Sequence, residues 1–130
     1  MIPAPEARDE IFRTFGRAFF REDLDLMFQV VTSDFVWRVA ETPGSPVVRE
    51  VTGRERLAAF FAERRATFEG TRFDDVAYHH AAEATFMTFA MTTTLRASGE
   101  AIVGDGVERY TFRGGKIALK DVYIRVRRPT

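Results

Sequence analysis

The sequence predicts a single α+β domain in which helices cover a curved antiparallel or mixed sheet and enclose an apolar pocket. The hydrophobic period changes once along the 130 residues, from about 3.6 in the first half to about 2 in the second. No linker, repeat or low-complexity segment divides the chain, so residues 1–130 are expected to form one domain. The 13 phenylalanines lack a polar group and therefore call for a large apolar interior.

Composition and charge argue against several classes of protein. The 19 basic residues balance 19 acidic ones, so no nucleic-acid partner is expected, because such a partner favours a basic stripe. The absence of cysteine excludes disulfides and thiolate metal sites and fits a cytoplasmic location. No membrane association is expected, since no apolar run approaches ~20 residues and the first residues lack a signal-peptide pattern. The basic end, Arg125 to Arg128, is expected to be a solvated tail.

The first third of the chain carries two predicted helices. The first runs from about Pro5 to Phe20, because phenylalanines recur there at helical spacing with arginines on the other side. Asp23 is a candidate N-cap for a second, short helix. The apolar stripe of that helix is predicted to be Met27, Val30 and Val31.

A short strand and a third helix are predicted next. Ser33-Asp34 interrupts the helical pattern, and Phe35 to Val39 is predicted to be a strand. Residues 41–51 include two prolines and a glycine and are predicted to form a loop. Thr52 and Glu55 match a capping box that would start the third helix. Its inward residues are predicted to be Leu57, Phe60, Phe61 and Phe68. Its outward residues are predicted to be Glu63, Arg64 and Arg65.

From Gly70, where the third helix is expected to end, the chain alternates between apolar and polar residues. This pattern predicts four strands, at about residues 73–78, 85–95, 101–112 and 116–126. Gly104 and Gly106 lie in mid-strand, where a sheet bends most readily. Helices packed across one end of a curled sheet leave an open cone, which is the default ligand site. The alternative is that large side chains fill the cone.

Four segments occur together in an order that resembles a known family. They are Asp23-Leu24-Asp25, Asp34-Phe35-Val36-Trp37, Thr52-Gly53-Arg54-Glu55, and Tyr110 to Ile117. Over nearly the whole chain they resemble the SnoaL-like branch of the nuclear transport factor 2-like superfamily, which includes ketosteroid isomerases, polyketide cyclases and limonene epoxide hydrolases. The resemblance implies a cone-shaped roll, with three N-terminal helices on a curved sheet, that is often a homodimer through the outer sheet face. It does not imply one function, because the fold hosts unrelated activities.

The resemblance also argues against the best-known activities of this superfamily. It places the donor tyrosine of the ketosteroid isomerases at Phe15, their aspartate base at Val39 and their neutral acid at Glu108. Two of these three roles are missing, so steroid isomerisation is not expected. The last strand carries Arg125 where related epoxide hydrolases often have an aspartate, so their Asp-Arg-Asp relay is not expected either.

Glu108 is the leading candidate for a catalytic residue. If it shares a strand face with Tyr110, it points into the cone, where a carboxyl among aromatic rings can act as a general acid or base. The alternative is that it points outward and pairs with an arginine. Glu41 is a second candidate at the mouth of the pocket, and the alternative for it is an exposed loop carboxylate.

Seven further residues are predicted to line the ligand site. They are Phe15, Trp37, Val39, Phe61, Met91, Tyr110 and Tyr123. For Trp37, plain core filling is the alternative. The direction of Asp121 and Tyr123 is left open, because a bulge would reverse it. No metal is expected at His79-His80, since adjacent strand residues point to opposite faces.

The leading functional hypothesis is a cofactor-free protein that binds a small, mostly apolar molecule in the cone. If it is an enzyme, its chemistry would be acid/base catalysis of the isomerase, cyclase, hydratase, hydrolase or lyase type. The alternative is a non-catalytic ligand-binding or dimeric interaction module, and a third reading is a structural dimer with a filled core. The sequence does not identify the ligand or the pathway.

Overall fold

The computed structural model describes residues 1–127, which contain three helices and one six-stranded sheet. The helices are α1 (Pro5–Arg21), α2 (Leu24–Met27) and α3 (Arg54–Thr67). The strands are β1 (Val31–Ala40), β2 (Val48–Thr52), β3 (Phe68–His80), β4 (Ala84–Leu95), β5 (Ala101–Arg113) and β6 (Lys116–Val126). The strand order is β2-β1-β6-β5-β4-β3, and β1 runs parallel to β6 while the other pairs are antiparallel. The predicted α+β fold is confirmed.

The helix α1 covers the inner face of the sheet with three phenylalanines at helical spacing. The ring of Phe12 lies 4.7 Å from that of Tyr110, measured between centroids, and the ring of Phe19 lies 5.6 Å from that of Trp37. Phe15 packs between them, 6.1 Å from Trp37 and 5.9 Å from Tyr110. These aromatic contacts, with their large apolar area, hold the helix on the sheet. The predicted first helix and its inward stripe therefore agree with the structure.

The start of the sheet differs from the prediction in two places. β1 begins at Val31 rather than Phe35 and continues through Ser33-Asp34, because a register shift against β6 between Val31 and Val36 absorbs the irregularity. The segment predicted to be a loop contains β2, which pairs with β1. Both prolines of that segment precede β2, so its ladder keeps its amide donors.

Both ends of α3 also differ from the prediction. Thr52 is paired with Val36 in the sheet, and the N-cap of α3 is Gly53, with a φ of 82° and no side-chain cap. The predicted capping box is therefore wrong. α3 ends at Thr67, Phe68 opens β3, and Gly70 lies inside β3 with a φ of 64°, next to a register shift.

The strands β3 to β6 form the predicted meander. β4 and β5 pair without a register shift from Ala84 to Thr94. A Cβ atom built on Gly106 would lie 2.1 Å from the Cζ atom of Phe89 on β4. Gly106 therefore leaves the space in which the Phe89 ring packs inside the cone.

The basic C-terminal segment lies partly within the described residues. Arg125 lies in β6, the Arg127 guanidinium donates to the Asp105 carboxylate, and Arg128 lies outside the described residues.

The predicted α2 cap is present, since the Asp23 carboxylate accepts a hydrogen bond from the Leu26 amide. Within the described part of the chain, no helix is long and apolar enough to span a membrane.

Candidate functional site

An open cavity of about 160 Å³ lies between α1, α3 and the inner face of the sheet. Its walls are mostly apolar and include Phe19, Trp37, Val39, Phe60, Phe89 and Met91. Exposed Glu41 and Glu63 lie at its rim, whereas buried Glu108 and Lys120 lie at its inner end. An apolar cavity of about 150 Å³ is large enough for benzene, so this one accepts a molecule with about one aromatic ring.

Three adjacent strands bring the polar groups at the inner end together. Lys120 on β6 is paired with Trp37 on β1 on one side and with Tyr110 on β5 on the other. Glu108 precedes Tyr110 by two residues, so both side chains leave the same face of β5. The β1-β6-β5 register therefore assembles a tryptophan, a lysine, a tyrosine and a carboxylate on the inner face.

Glu108, Tyr110 and Lys120 form what we call the inner carboxylate cluster. The Tyr110 hydroxyl donates a hydrogen bond to Oε1 of Glu108, and Nζ of Lys120 lies 3.4 Å from the same oxygen. All three residues are buried, with exposed fractions of 1%, 4% and 4% for Tyr110, Glu108 and Lys120. Both interactions use Oε1, and the other carboxylate oxygen, Oε2, forms no hydrogen bond with residues 1–127.

The ammonium group of Lys120 is surrounded by aromatic rings. Its Nζ lies 3.8 Å from the ring centroid of Trp37, 4.9 Å from that of Phe19 and 5.1 Å from that of Phe15. Ring faces attract a cation but solvate it less well than water does. Burial therefore lowers the pKa of Lys120 to about 8, although the negative charge of Glu108 acts to raise it.

Tyrosine and arginine side chains near the cluster are perturbed by the same burial. Burial raises the pKa of Tyr110 well above its usual value, and the charge of Glu108 raises it further, so Tyr110 stays a hydrogen-bond donor. Burial, aided by Glu108, raises the pKa of Tyr78 to about 12. Burial lowers the pKa of Arg64, whose guanidinium carbon lies 4.7 Å from the ring centroid of Phe19. Arg64 lines the cavity, so its predicted outward position is wrong.

The structure places all but one of the candidate residues in two groups. Trp37, Val39, Met91 and Glu108 line the cavity, and Glu41 lies at its exposed rim. A second group lies behind the wall and is formed by Phe15, Phe61 and Tyr110. These three are buried side chains that support Trp37 and Glu108. Tyr123 belongs to neither group and lies outside the cavity.

Tyr123 and Asp121 face the outer side of the sheet. The β5-β6 register is continuous from Gly104 to Thr111, so no bulge reverses the alternation that points Lys120 and Val122 inward. The Tyr123 side chain is 58% exposed, and its hydroxyl donates to Oδ2 of Asp121 at 2.9 Å. The prediction that Tyr123 lines the cone is therefore wrong.

Lys120 and Arg64 are two polar cavity residues that the sequence reasoning missed. Lys120 alternates with Val122 and Ile124, and a lysine in an otherwise apolar inward set is the signal that could have identified it. Arg64 was assigned to the outer side because arginines are usually solvated. Only the position of α3 over the cavity shows that the guanidinium group of Arg64 lies over the ring of Phe19.

His80 belongs to the packing of α1 on β3, whereas Nε2 of His79 lies 3.1 Å from the Thr88 hydroxyl on β4. Nδ1 of His80 lies 2.9 Å from the Thr85 hydroxyl, and Nε2 lies 2.8 Å from an Asp9 carboxylate oxygen. Across residues 1–127, no group of three or more histidine, cysteine, aspartate or glutamate side chains is placed to hold a metal ion.

Comparisons with known proteins identify relatives of this fold. The sequence model of the SnoaL-like domain matches residues 12–120. An NTF2-like protein from Burkholderia xenovorans is 19% identical, with a TM-score of 0.80 over 94% of this chain and 92% of that one. A protein from Xanthomonas campestris proposed to be a polyketide cyclase is 16% identical, with a TM-score of 0.71 over 91% and 90% of the two chains. At these identities the structures show a common fold and nothing more. No curated protein sequence matches the chain.

Proposed function

The chain belongs to the SnoaL-like domain family, and we propose that it binds a small, mostly apolar molecule in the cone and performs cofactor-independent acid/base chemistry on it. One observation carries the proposal. The carboxylate of Glu108 lies at the inner end of an apolar cavity and is 4% exposed, with Oε1 engaged and Oε2 left for a ligand. A positioned carboxylate in a site of low water content is a suitable general base or acid.

Within this proposal each member of the inner carboxylate cluster has a separate task. Glu108 exchanges a proton with the ligand through Oε2. Tyr110 fixes the orientation of the carboxylate through its hydrogen bond to Oε1. Lys120 supplies the opposite charge at 3.4 Å, which offsets the cost of burying the carboxylate. This arrangement suits isomerisation, cyclisation, hydration, hydrolysis or elimination, which all begin or end with a proton transfer.

Ligand binding can be measured with the single tryptophan of the chain, since Trp37 lines the cavity. We expect benzyl alcohol, a probe with one aromatic ring and no carbonyl group, to change the fluorescence of Trp37, with a change that saturates as the probe concentration rises. Val39→Phe fills the cavity and should abolish the change, whereas Val107→Phe on the outer face should preserve it. A folded wild-type protein whose fluorescence shows no saturable response would contradict the proposed pocket.

Catalysis can be measured as deuterium exchange of the methyl protons of acetophenone in heavy water. The wild-type protein should exchange the methyl protons faster than buffer alone does. Glu108→Gln should lower this rate about a hundredfold or more, while benzyl alcohol still binds to the variant. Asp121→Asn, which changes the carboxylate of the outer face, is the matched control and should leave exchange unchanged. Equal exchange rates for wild type and Glu108→Gln would refute the role of Glu108.

A second candidate function is non-catalytic ligand binding. It is favoured by the pairing of Glu108, whose charge is already matched by Lys120 and whose Oε1 accepts the Tyr110 hydrogen bond. Saturable binding of benzyl alcohol without acetophenone exchange would select this candidate.

The oligomeric state and location also belong to the proposal. We expect a homodimer through the outer face, where the exposed side chains of Val107 and Tyr123 lie opposite each other across β5 and β6. Sedimentation equilibrium tests this expectation, and a monomer at all concentrations would refute it. A cytoplasmic location is expected because the chain has no cysteine.

A further inference from the structure

Lysine is rare in this protein, and one of its lysines is buried at the ligand cavity. The chain contains two lysines, Lys116 and Lys120. Lys116 is exposed at the start of β6, whereas Lys120 lines the inner end of the cavity with a side chain that is 5% exposed. The two residues therefore differ in environment within one strand, and Lys116 is a natural internal reference.

Burial of a lysine in this position lowers the stability of the fold, so its presence calls for a functional explanation. Its Nζ has one carboxylate oxygen at 3.4 Å and otherwise faces the rings of Trp37, Phe19 and Phe15. Long cationic side chains usually reach water or fill all their hydrogen bonds, because burying a charge costs several kcal/mol. Here the amine is placed at the wall of the cavity, within reach of a bound molecule.

We propose that Lys120 is a nucleophile that forms a Schiff base with a small, apolar aldehyde or ketone bound in the cone. The proposal deepens the proposed function and rests on it, because the same cavity must admit the ligand. It names carbonyl compounds as the ligand class.

The reaction balances with the groups present. Lys120 first passes a proton to Glu108, and the neutral amine attacks the carbonyl carbon, forming the C–N bond while the carbonyl electrons move to oxygen. Transfer of a proton from nitrogen to that oxygen gives a carbinolamine. Protonated Glu108 then donates its proton to the hydroxyl group, the C–O bond breaks and water leaves. The product is a cationic iminium beside a regenerated carboxylate, with one water released for each carbonyl consumed.

The surroundings favour each state along this path. The pKa of Lys120, lowered by burial to about 8, leaves about a tenth of the amine neutral at pH 7. The iminium keeps the positive charge over Trp37 and next to Glu108. The apolar walls limit access of water, which would hydrolyse the iminium.

Several other ionisable groups face this part of the cone and bear on its pH dependence. Glu108 and Tyr110 approach Nζ from β5, and Arg64 from α3 lowers the pKa of Lys120 by its charge. Tyr78, on β3, titrates only at about 12. The rim of the cavity carries Glu41, Arg49 and Glu63.

The test traps the iminium with cyanoborohydride after addition of benzaldehyde. Wild-type protein is digested, and the peptides are analysed by mass spectrometry for benzyl groups on Lys120, Lys116 and the N-terminal amine. We expect Lys120 to be modified about tenfold or more faster than Lys116 at pH 7.5, because its amine gives up its proton more readily. Lys116→Arg should retain the modification, and benzyl alcohol should slow it at Lys120 only.

The outcomes separate this proposal from the one on which it rests. Modification of Lys116 and the N-terminus but not of Lys120, in a protein that binds benzyl alcohol, overturns the Schiff-base proposal and leaves the pocket intact. Modification of Lys120 that benzyl alcohol does not slow also overturns it, since the reaction then does not occur in the cavity. Because the readout is a peptide of the wild-type chain, the result does not depend on the folding of a Lys120 variant.

Discussion

Glu108 on the inner face of the sheet and Asp121 on the outer face have nearly the same set of neighbours. Each carboxylate is buried and accepts a hydrogen bond from the tyrosine two residues further along its own strand, Tyr110 or Tyr123. Each also faces a cation. Nζ of Lys120 lies 3.4 Å from Glu108, whereas guanidinium nitrogens of Arg38 and Arg109 lie 3.2 and 3.4 Å from Asp121, respectively.

The two sites differ in the solvation of the cation. The outer arginine side chains are 36% and 39% exposed, and the pKa of Arg38 is raised by its hydrogen bond to Glu50 and by the charge of Asp121. The inner lysine is 5% exposed, and burial lowers its pKa to about 8. The comparison shows that the same carboxylate–tyrosine–cation arrangement is an ordinary ion pair where water reaches the cation, whereas the pKa of the cation is lowered where rings replace the water.

Loss of the cation separates the two faces most strongly. Lys120→Met should raise the free energy of unfolding at pH 7 by about 2–3 kcal/mol, because it removes a buried cation whose lowered pKa reflects a burial cost larger than the attraction of Glu108. Arg38→Met should cost about 1 kcal/mol or less, since Arg109 still pairs with Asp121. Urea denaturation measures both changes. A loss of stability in Lys120→Met similar to that of Arg38→Met would show that burial does not distinguish the two sites.

The pH dependence of stability sharpens the comparison further. The pKa of Lys120 is about 8 in the folded protein and 10.5 for a lysine that is not buried. Between pH 8 and 10.5 the unfolded chain therefore binds more protons than the folded one. The folded state therefore gains stability as the pH rises. From pH 8 to 10 the free energy of unfolding of the wild type should rise by about 2–3 kcal/mol relative to Glu108→Gln/Lys120→Met.

Arg38→Met is the control for this pH effect, because arginine stays protonated throughout the range. It should therefore parallel the wild type from pH 8 to 10. A difference between wild type and the double variant that is flat, or that falls with pH, would mean that Lys120 keeps its proton as an exposed lysine does.

The smallest expected difference concerns the two tyrosine hydroxyls. Tyr110→Phe removes a hydrogen bond to a buried carboxylate and should cost about 1–3 kcal/mol in urea denaturation. Tyr123→Phe should cost about 0.5 kcal/mol, since water can replace a hydroxyl on a side chain that is 58% exposed. Equal costs for the two variants would imply that the outer site is as dry as the inner one.

Local patterns were sufficient to predict most of the secondary structure. The phenylalanine stripe of α1, the Asp23 cap of α2 and the alternating strands of the meander all depend on neighbours within a few residues. The prediction was wrong where a distant partner overrides the local signal. β2 forms in a segment rich in proline and glycine because β1 offers a strand edge, and Thr52 pairs with Val36 instead of capping α3.

The candidate site was predicted in part for the same reason. Glu108 and Trp37 were identified because alternation along a strand relates each to its neighbours on one face. Phe15, Phe61 and Tyr110 were placed in the lining but lie one layer behind it, since helical and strand periods give a direction and not a depth. For Tyr123, alternation alone did not reveal which face is inside.

The amino-acid sequence by itself determined the α+β class and the apolar character of the interior, because these follow from period, turn residues and composition. The order of four short segments carried the resemblance to the SnoaL-like family. The tertiary structure alone decided that Lys120 shares Glu108 with Tyr110 and that Asp121 and Tyr123 point the other way. The physical reason is that strand register is set by pairing between residues far apart in sequence, and a shift of one residue exchanges the two faces.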